Sequence, residues 1–362
     1  QICLMFFLIT LLEHSGYLPR AALLVDRLFR PFGLPGQAFV PLLSSHACAI
    51  PGIIACRCIP DRRERLATIL VAPFMSCTAR IPVYVLLTSI LFADRPALAA
   101  LAFTGCYVLG AAAALITALV FRSTFLRGTS RSMALELPGY RRPSLRLALI
   151  ATRDRAWMFL RKAGTVILAM VIVLWWLGSY PVAGPSPEAE QLREQAATLR
   201  TEADIDQADE ILARAERVEG RHATANTFMG MAGRAAAPVF KPLGYDWQLT
   251  VGVLSSFAAR EVFVSTMAVV TAAGDEDTAE SESGIQRIAR ATRDDGETPV
   301  FTNPTSWSLL VFYVLAMQCL PTLAVTARES GDWRWALLQL GYMTALAYIG
   351  GLIAFAIAGM LM

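Results

Sequence analysis

Three cysteines stand where thiol chemistry is possible. Cys48, Cys77 and Cys319 each lie in apolar sequence beside a helix breaker: Pro51 follows Cys48, Pro73 precedes Cys77 and Pro321 follows Cys319. A proline removes a helical hydrogen bond and frees carbonyls of the preceding turn, which can then face an ion. Thiolate sulfur suits borderline-soft metals such as Fe²⁺, Zn²⁺ or Cu⁺ and does not suit Na⁺, K⁺ or Mg²⁺. His46 precedes Cys48 by two positions, so in a broken segment both side chains could reach one ion; a hydrogen-bonded buried imidazole is the competing reading. The bland reading of any one cysteine here is a small buried hydrophobe. Cys56 and Cys58 flank Arg57 and read as interface residues, Cys3 and Cys106 as helix packing.

Charges sit in the same apolar sequence. Arg80 lies in an otherwise uncharged run, 66–92, and the adjacent Arg260 and Glu261 lie in another, 247–274. A charge at bilayer depth costs roughly 2.5–3.5 kcal/mol on insertion scales, so it turns toward a protein interior or a wet path. An arginine facing a cation path would repel the ion. Arg80 and Arg260 are therefore expected to be neutralised or to bond helix-end carbonyls and so fix the broken elements. Glu261 is expected to pair with an arginine or to act as a ligand. Arg260 and Glu261 stand about 100° apart on a helix and should not simply pair with each other. Glu13 closes the first apolar run, as an ion ligand at the mouth or as a surface carboxylate.

The elements that position these residues are membrane helices. The chain has 362 residues, is 55% hydrophobic and has a mean hydropathy of +0.49. Several uncharged runs (97–121, 163–187, 305–327 and 335–362) reach the ~20 residues that cross a ~30 Å hydrocarbon core. The fold class is all-α and polytopic; a spanning β-barrel would show shorter alternating segments. The net charge of +3 carries no nucleic-acid footprint, and the seven cysteines are not a secreted disulfide framework.

Along the chain, 1–12 is apolar, too short to span, and reads as the tail of a truncated helix. Residues 13–30 read as an amphipathic surface helix, and 31–56 is uncharged but full of prolines and glycines, which suggests a broken or re-entrant element near 44–51. Basic stretches at 57–65 and 122–162 flank one helical hairpin, which the positive-inside rule orients with that side in the cytoplasm. The charge-rich 188–219 reads as an exposed helix or helical hairpin, with Leu192 and Leu199, then Ile205 and Leu212, at heptad spacing. Its carboxylates are a solvated face or a metal-collecting surface. Residues 275–303 read as a flexible polar loop. Short echoes set Ala79-Arg80 beside Ala259-Arg260, and Cys48-Ala49-Ile50-Pro51 beside Cys319-Leu320-Pro321, hinting at two repeats with interrupted helices. No P-loop, Ser-His-Asp or zinc-hydrolase signature occurs.

Taken in order, Leu12-Glu13-His14-Ser15-Gly16-Tyr17, Gly33-Leu34-Pro35-Gly36, Phe39-Val40-Pro41, Cys48-Ala49-Ile50-Pro51, Arg63-Glu64-Arg65, Ala72-Pro73-Phe74-Met75-Ser76-Cys77 and Ala79-Arg80 resemble the membrane region of the ferrous iron transport protein B (FeoB) family. The likeness returns at Glu136-Leu137-Pro138-Gly139-Tyr140, at Arg260-Glu261-Val262, and at Cys319 with Ala327-Arg328-Glu329. The resemblance implies Fe²⁺ import across the bacterial cytoplasmic membrane by two gate-type helical repeats with broken helices, with Cys48, Cys77 and Cys319 as iron-path thiols. It implies GTP and Mg²⁺ through a G domain in cis or in trans, which these residues do not contain, and as partners the lipid bilayer, a small FeoA-like protein and a homo-oligomer. The division expected is a first repeat at 1–121, a cytoplasmic basic linker at 122–162, a transmembrane helix at 163–181, an extracytoplasmic charged insert at 182–222 and a second repeat at 223–362. The chain departs from the family in two places. Ser45-His46-Ala47-Cys48-Ala49 replaces the usual Gly-Phe-Gly-Cys-Asn, and His14 stands where Asp is usual. The alternatives are a gate-fold transporter of nucleosides or another solute, for which Gln248 and Gln318 are the mid-span amides, and a non-transporting assembly partner with a small-residue face such as Gly110 with Ala111 to Ala114.

Overall fold

A computed structural model describes residues 2–93, 95–126, 139–140, 142–181, 184, 186–201, 205–258, 260, 262–271, 282–293, 298–317 and 319–361. Helix α1 (Ile2–His14) is followed at Gly16, φ +77°, by the amphipathic α2 (Tyr17–Phe29), which buries Leu18 and Ala22 and exposes Leu24 and Leu28. A proline-containing turn ends in Gly33, φ +80°. Helix α3 (Phe39–Ser45) stops at His46, and α4 (Ala49–Ala55) starts after Cys48. The Asp61 carboxylate accepts from the amides of Arg63 and Glu64 and starts α5 (Arg62–Val71). Pro73 ends that helix, Pro82 sits in the first turn of α6 (Ile81–Leu91), and α7 (Pro96–Ser123) runs unbroken.

The basic stretch expected as a linker is partly helical. Ser144 caps α8 (Leu145–Phe159), and a π-helical turn joins it to α9 (Thr165–Ser179). The charged insert forms the expected hairpin, α10 (Pro187–Thr201) and α11 (Ile205–Ala225). Alanines carry its contact, because Ala189, Ala196 and Ala215 are buried while Leu192 and Leu212 are only half-buried; an Arg193–Glu219 ion pair crosses it. Helix α12 (Phe228–Phe240) leads through a second proline turn to Gly244, φ +80°, and α13 (Trp247–Ser256) and α14 (Val262–Val270) follow. The polar loop is not structureless: α15 (Glu282–Ala289) buries Ile288, and a bridge pairs Thr292 with Pro299. Residues 275–281 and 294–297 of that loop, together with Asp94, Gln318 and the 136–138 motif, lie outside the described residues. The chain ends in α16 (Asn303–Leu315), α17 (Leu320–Ser330) and α18 (Trp333–Met360).

By length and apolarity four helical rods among the described residues can cross a membrane: Arg62–Leu91, Pro96–Ser123, Asn303–Ser330 and Trp333–Met360. Within an apolar 18-residue stretch of each, 67% and 65% of the residues are buried in the two broken rods and 17% and 22% in the two unbroken ones, so protein covers the broken rods and leaves much of the unbroken rods for lipid. The chain divides into two compact units, residues 1–88, 92–168 and 310–351, and residues 89–91, 169–309 and 352–362. The core of the first includes Ile53, Ile69, Leu70, Phe74 and Tyr84, and that of the second Leu249, Val253, Phe263 and Met267.

The internal repeat has a different register from the short echoes. Arg30-Pro31-Phe32-Gly33 after α2 matches Lys241-Pro242-Leu243-Gly244 after α12, and the same alignment pairs Gln37 with Gln248, Leu43-Ser44-Ser45 with Leu254-Ser255-Ser256 and Ala47 with Ala258. The broken rod α5–α6 matches α16–α17, with Met75-Ser76-Cys77 against Met317-Gln318-Cys319, and the unbroken α7 matches α18. Cys77 is therefore the counterpart of Cys319, and Cys48 aligns with Ala259.

The two repeat glycines also meet corresponding helices. A Cβ on Gly33 would fall 2.8 Å from the Arg122 side chain near the end of α7, and one on Gly244 would strike the Phe355 ring near the end of α18. Gly331 has the same left-handed backbone, φ +81°, but open space around it. Gly331→Ala should therefore cost only backbone strain, about 1 kcal/mol. Gly244→Ala adds a packing clash and should lower the unfolding midpoint in detergent distinctly further; equal shifts would remove the packing account.

Candidate ion path at the helix breaks

The three thiols share one local geometry. Cys48, Cys77 and Cys319 are each the last extended residue before a half-helix, with φ/ψ of −158°/138°, −86°/166° and −160°/94°. Each is half-buried and none is in a disulfide. Prolines in the opening turns of the following helices explain the restart, since a proline there forgoes an amide that no helical carbonyl would have accepted.

Reciprocal hydrogen bonds join the first two breaks. The Thr78 hydroxyl donates to the Ala47 carbonyl at 3.0 Å, and His46 Nδ1 lies 3.2 Å from the Ser76 carbonyl. A carbonyl only accepts, so Nδ1 carries the hydrogen and Nε2 keeps its lone pair, the tautomer a metal-binding histidine uses. The Tyr107 ring stacks on the imidazole, and the Tyr84 hydroxyl sits 3.2 Å from Ser76 Oγ. Cys77 thus lies between two bonded residues, and Cys48 directly follows a third.

Arg80 ties the third break to this seam. The side chain is fully buried, with Nη1 donating to Phe74 O at 3.1 Å and Nη2 to Pro73 O at 2.9 Å and Ala316 O at 3.3 Å. The expected bonding to helix-end carbonyls is observed, and it reaches both broken rods.

Freed carbonyls facing an ion are not what the structure contains at this break. Pro73 releases Ile69 O, and Ala47 O lies in the turn before α4, outside any helical ladder. Gln339 Nε2 donates to Ile69 O (3.1 Å) and Leu70 O (2.9 Å), Tyr342 donates to Leu70 O, and Thr78 takes Ala47 O. Thr326 fixes the Gln339 amide by donating to its Oε1 at 2.9 Å. A buried carbonyl without a donor costs about 1–3 kcal/mol, so side-chain donors from α18 take the place of the lost helical amide, and Thr326 of α17 holds one of them. Gly110 lets α7 approach, since a Cβ there would sit 2.7 Å from Phe74 O.

The remaining candidates lie elsewhere. Glu13 pairs with Arg155 at 2.9 Å, both about half-exposed. Arg260 is buried at the break between α13 and α14, and Glu261 lies outside the described residues. Arg57 makes a bidentate pair with Glu329 at 2.7 and 2.6 Å, tying the turn after α4 to the end of α17. Among the described residues no three His, Cys, Asp or Glu side chains converge into a ready-made metal cage. Gln339, Tyr342 and Thr78 were missed from sequence, although an amide in the uncharged run 335–362 was a visible signal.

Paired broken helices inside two matching repeats define a gate-type helical membrane protein. The chain belongs to the ferrous iron transport protein B family: the Gate model, described as nucleoside recognition, matches residues 1–91 and 160–333, and the model of the ferrous iron transport protein B C terminus matches 103–155. The Fe(2+) transporter FeoB of Leptospira interrogans (serogroup Icterohaemorrhagiae serovar copenhageni, strain Fiocruz L1-130) is 36% identical over 360 residues, 98% of this chain and 48% of the relative. That of Methanocaldococcus jannaschii is 32% identical over 360 residues, 99% of this chain and 47% of the relative. A Fe(2+) transport protein A/Fe(2+) transporter FeoB fusion protein of Porphyromonas gingivalis is 34% identical over 364 residues, 96% of this chain and 41% of the relative. The chain spans about half the length of the curated relatives it matches. No solved structure matches it.

Gln339→Leu keeps the volume and removes both amide donors from α5. It should destabilise the protein by about 1–3 kcal/mol through the orphaned carbonyl of Ile69, while Leu70 O keeps its Tyr342 donor. Thermal unfolding in detergent checks this; an unchanged midpoint would mean that water replaces the amide.

Proposed function

We propose that this chain is the permease part of a ferrous iron importer in the bacterial cytoplasmic membrane. The observation that carries the reading is the placing of Cys48, Cys77 and Cys319 at the same local position of three helix breaks, with His46 aimed by its Nδ1 bond. The names of the relatives support the same cargo. Fe²⁺ would shed part of its hydration and pass among the three Sγ atoms and His46 Nε2. The lack of three converging His, Cys, Asp or Glu side chains among the described residues suits an ion that must leave again. Glu13, Arg260 and Glu261 act in support of the path rather than as its ligands. GTP binding and hydrolysis, with Mg²⁺, are assigned to a G domain in cis or in trans that biases open and closed states. The fusion relative supports a FeoA-like partner, and a homo-oligomer remains part of the reading. The basic 122–162 lies on the cytoplasmic side and the charged hairpin outside, with the repeats at 1–121 and 223–362.

One observation favours a second reading, an organic solute such as a nucleoside. The Gln248 amide and the Ser306 hydroxyl are fully buried and have no hydrogen-bond partner among the described residues. Buried polar atoms of that kind invite water or a polar ligand. Saturable nucleoside uptake lost in Gln248→Leu would favour this reading over iron.

For the thiol path, Cys48→Ser with Cys77→Ser should abolish anaerobic uptake of radiolabelled Fe²⁺ while the protein still inserts in the membrane at normal levels. Normal uptake by that double variant would sink the thiol path.

A further inference from the structure

Arg80 places a permanent cation where carbonyl oxygens of two broken rods converge. Pro73 O and Phe74 O come from the end of one rod's first half, Ala316 O from the end of the other's. Helix C-terminal ends carry partial negative charge, so the two ends aim their dipoles at one point. Oxygen atoms converging in this way form the coordination sphere sought by hard cations such as K⁺, Ca²⁺ or Mn²⁺. The guanidinium already fills it. Arg80 is also one turn from a thiol, with its own amide donating to Cys77 O at 3.0 Å.

We propose that Arg80 is a resident cation that closes this carbonyl cluster to transported ions and thereby sets metal selectivity. With the oxygen donors occupied and positively charged, an entering ion meets sulfur and imidazole, which favour Fe²⁺ over oxygen-preferring ions. Gln339 and Tyr342 occupy neighbouring carbonyls as neutral donors. They satisfy the backbone without repelling a cation, so the selectivity role falls to Arg80. Arg80 is a positioning and specificity residue, not an iron ligand. The inference rests on the permease reading above.

The test uses the full-length protein, together with the G domain proposed in cis or in trans, carrying Arg80→Gln or Arg80→Lys, with competitive uptake of Fe²⁺, Mn²⁺ and Ca²⁺ into proteoliposomes. Arg80→Gln is expected to raise the Mn²⁺-to-Fe²⁺ uptake ratio by about tenfold, and Arg80→Lys to keep the wild-type ratio. An unchanged ratio in Arg80→Gln overturns the proposal. A second readout covers a variant that folds poorly. The unfolding midpoint of purified Arg80→Gln is measured in K⁺ or Ca²⁺ against choline, with saturable stabilisation expected in the variant and not in wild type. Equal instability in every salt, including failure to accumulate whatever cation is supplied, makes Arg80 a structural brace and overturns the proposal. If wild type carries no Fe²⁺ in either direction, the permease reading fails on its own, and cation-dependent stabilisation of Arg80→Gln still decides whether the cluster takes a cation.

Discussion

Interrupting a helix inside a membrane leaves backbone carbonyls that lipid cannot satisfy, and everything near the breaks of this protein follows from that constraint. The carbonyls of Ala47, Ile69, Leu70, Pro73, Phe74, Ser76 and Ala316 all meet side-chain groups of Thr78, Gln339, Tyr342, Arg80 and His46. The donors belong to other segments, so each one also fixes the distance between segments. Satisfying the backbone and assembling the site are one act. Removing the buried guanidinium's partners would cost several kcal/mol, about 3–5 for a buried charge left alone, which makes this seam stiff.

That stiffness decides which atoms are left for chemistry. Every carbonyl held by a donor is a weaker candidate ligand. The imidazole of His46 shows the division within one side chain: Nδ1 serves the backbone at Ser76 and Nε2 is left over. On the proposed iron path, selectivity for a soft ion would arise as much from withdrawing oxygen as from offering sulfur.

Much of the architecture was legible in the sequence because its causes are local. Hydropathy located the rods, prolines located the breaks, and the cost of a charge in apolar sequence pointed to Arg80 and its carbonyl partners. The amphipathic α2 and the charged hairpin were legible from periodicity. What failed was long-range. Gln339 reaches Ile69 and Leu70 across most of the chain, and nothing in its neighbourhood announces that partner. At Pro73 the expectation that a proline-freed carbonyl would face an ion failed for the same reason, since the donor to Ile69 O comes from a distant helix. Polar composition at 275–303 suggested a loop, yet Ile285 and Ile288 give enough apolar periodicity for the short α15. The repeat register was misread because matching arginines and prolines drew attention from the Pro-x-Gly turns, where a left-handed glycine admits few substitutes.

The corrected register exposes an asymmetry with a physical reason. Two identical repeats would place an arginine after both Cys77 and Cys319, but the counterpart of Arg80 is Thr322, buried and neutral. Arg80 reaches Ala316 on the opposite rod as well as Pro73 and Phe74 on its own, so one guanidinium satisfies both ends. A second arginine there would bring two like charges together in a low-dielectric interior, where repulsion is several times stronger than in water. A duplicated fold can thus keep its symmetry in backbone and glycines while giving it up in charge. The one unmatched thiol follows the same pattern: Cys48 aligns with Ala259, next to Arg260 and Glu261. Where the second repeat carries charge beside its break, it carries no sulfur, so the soft ligands gather on the breaks that Arg80 and Thr78 tie together.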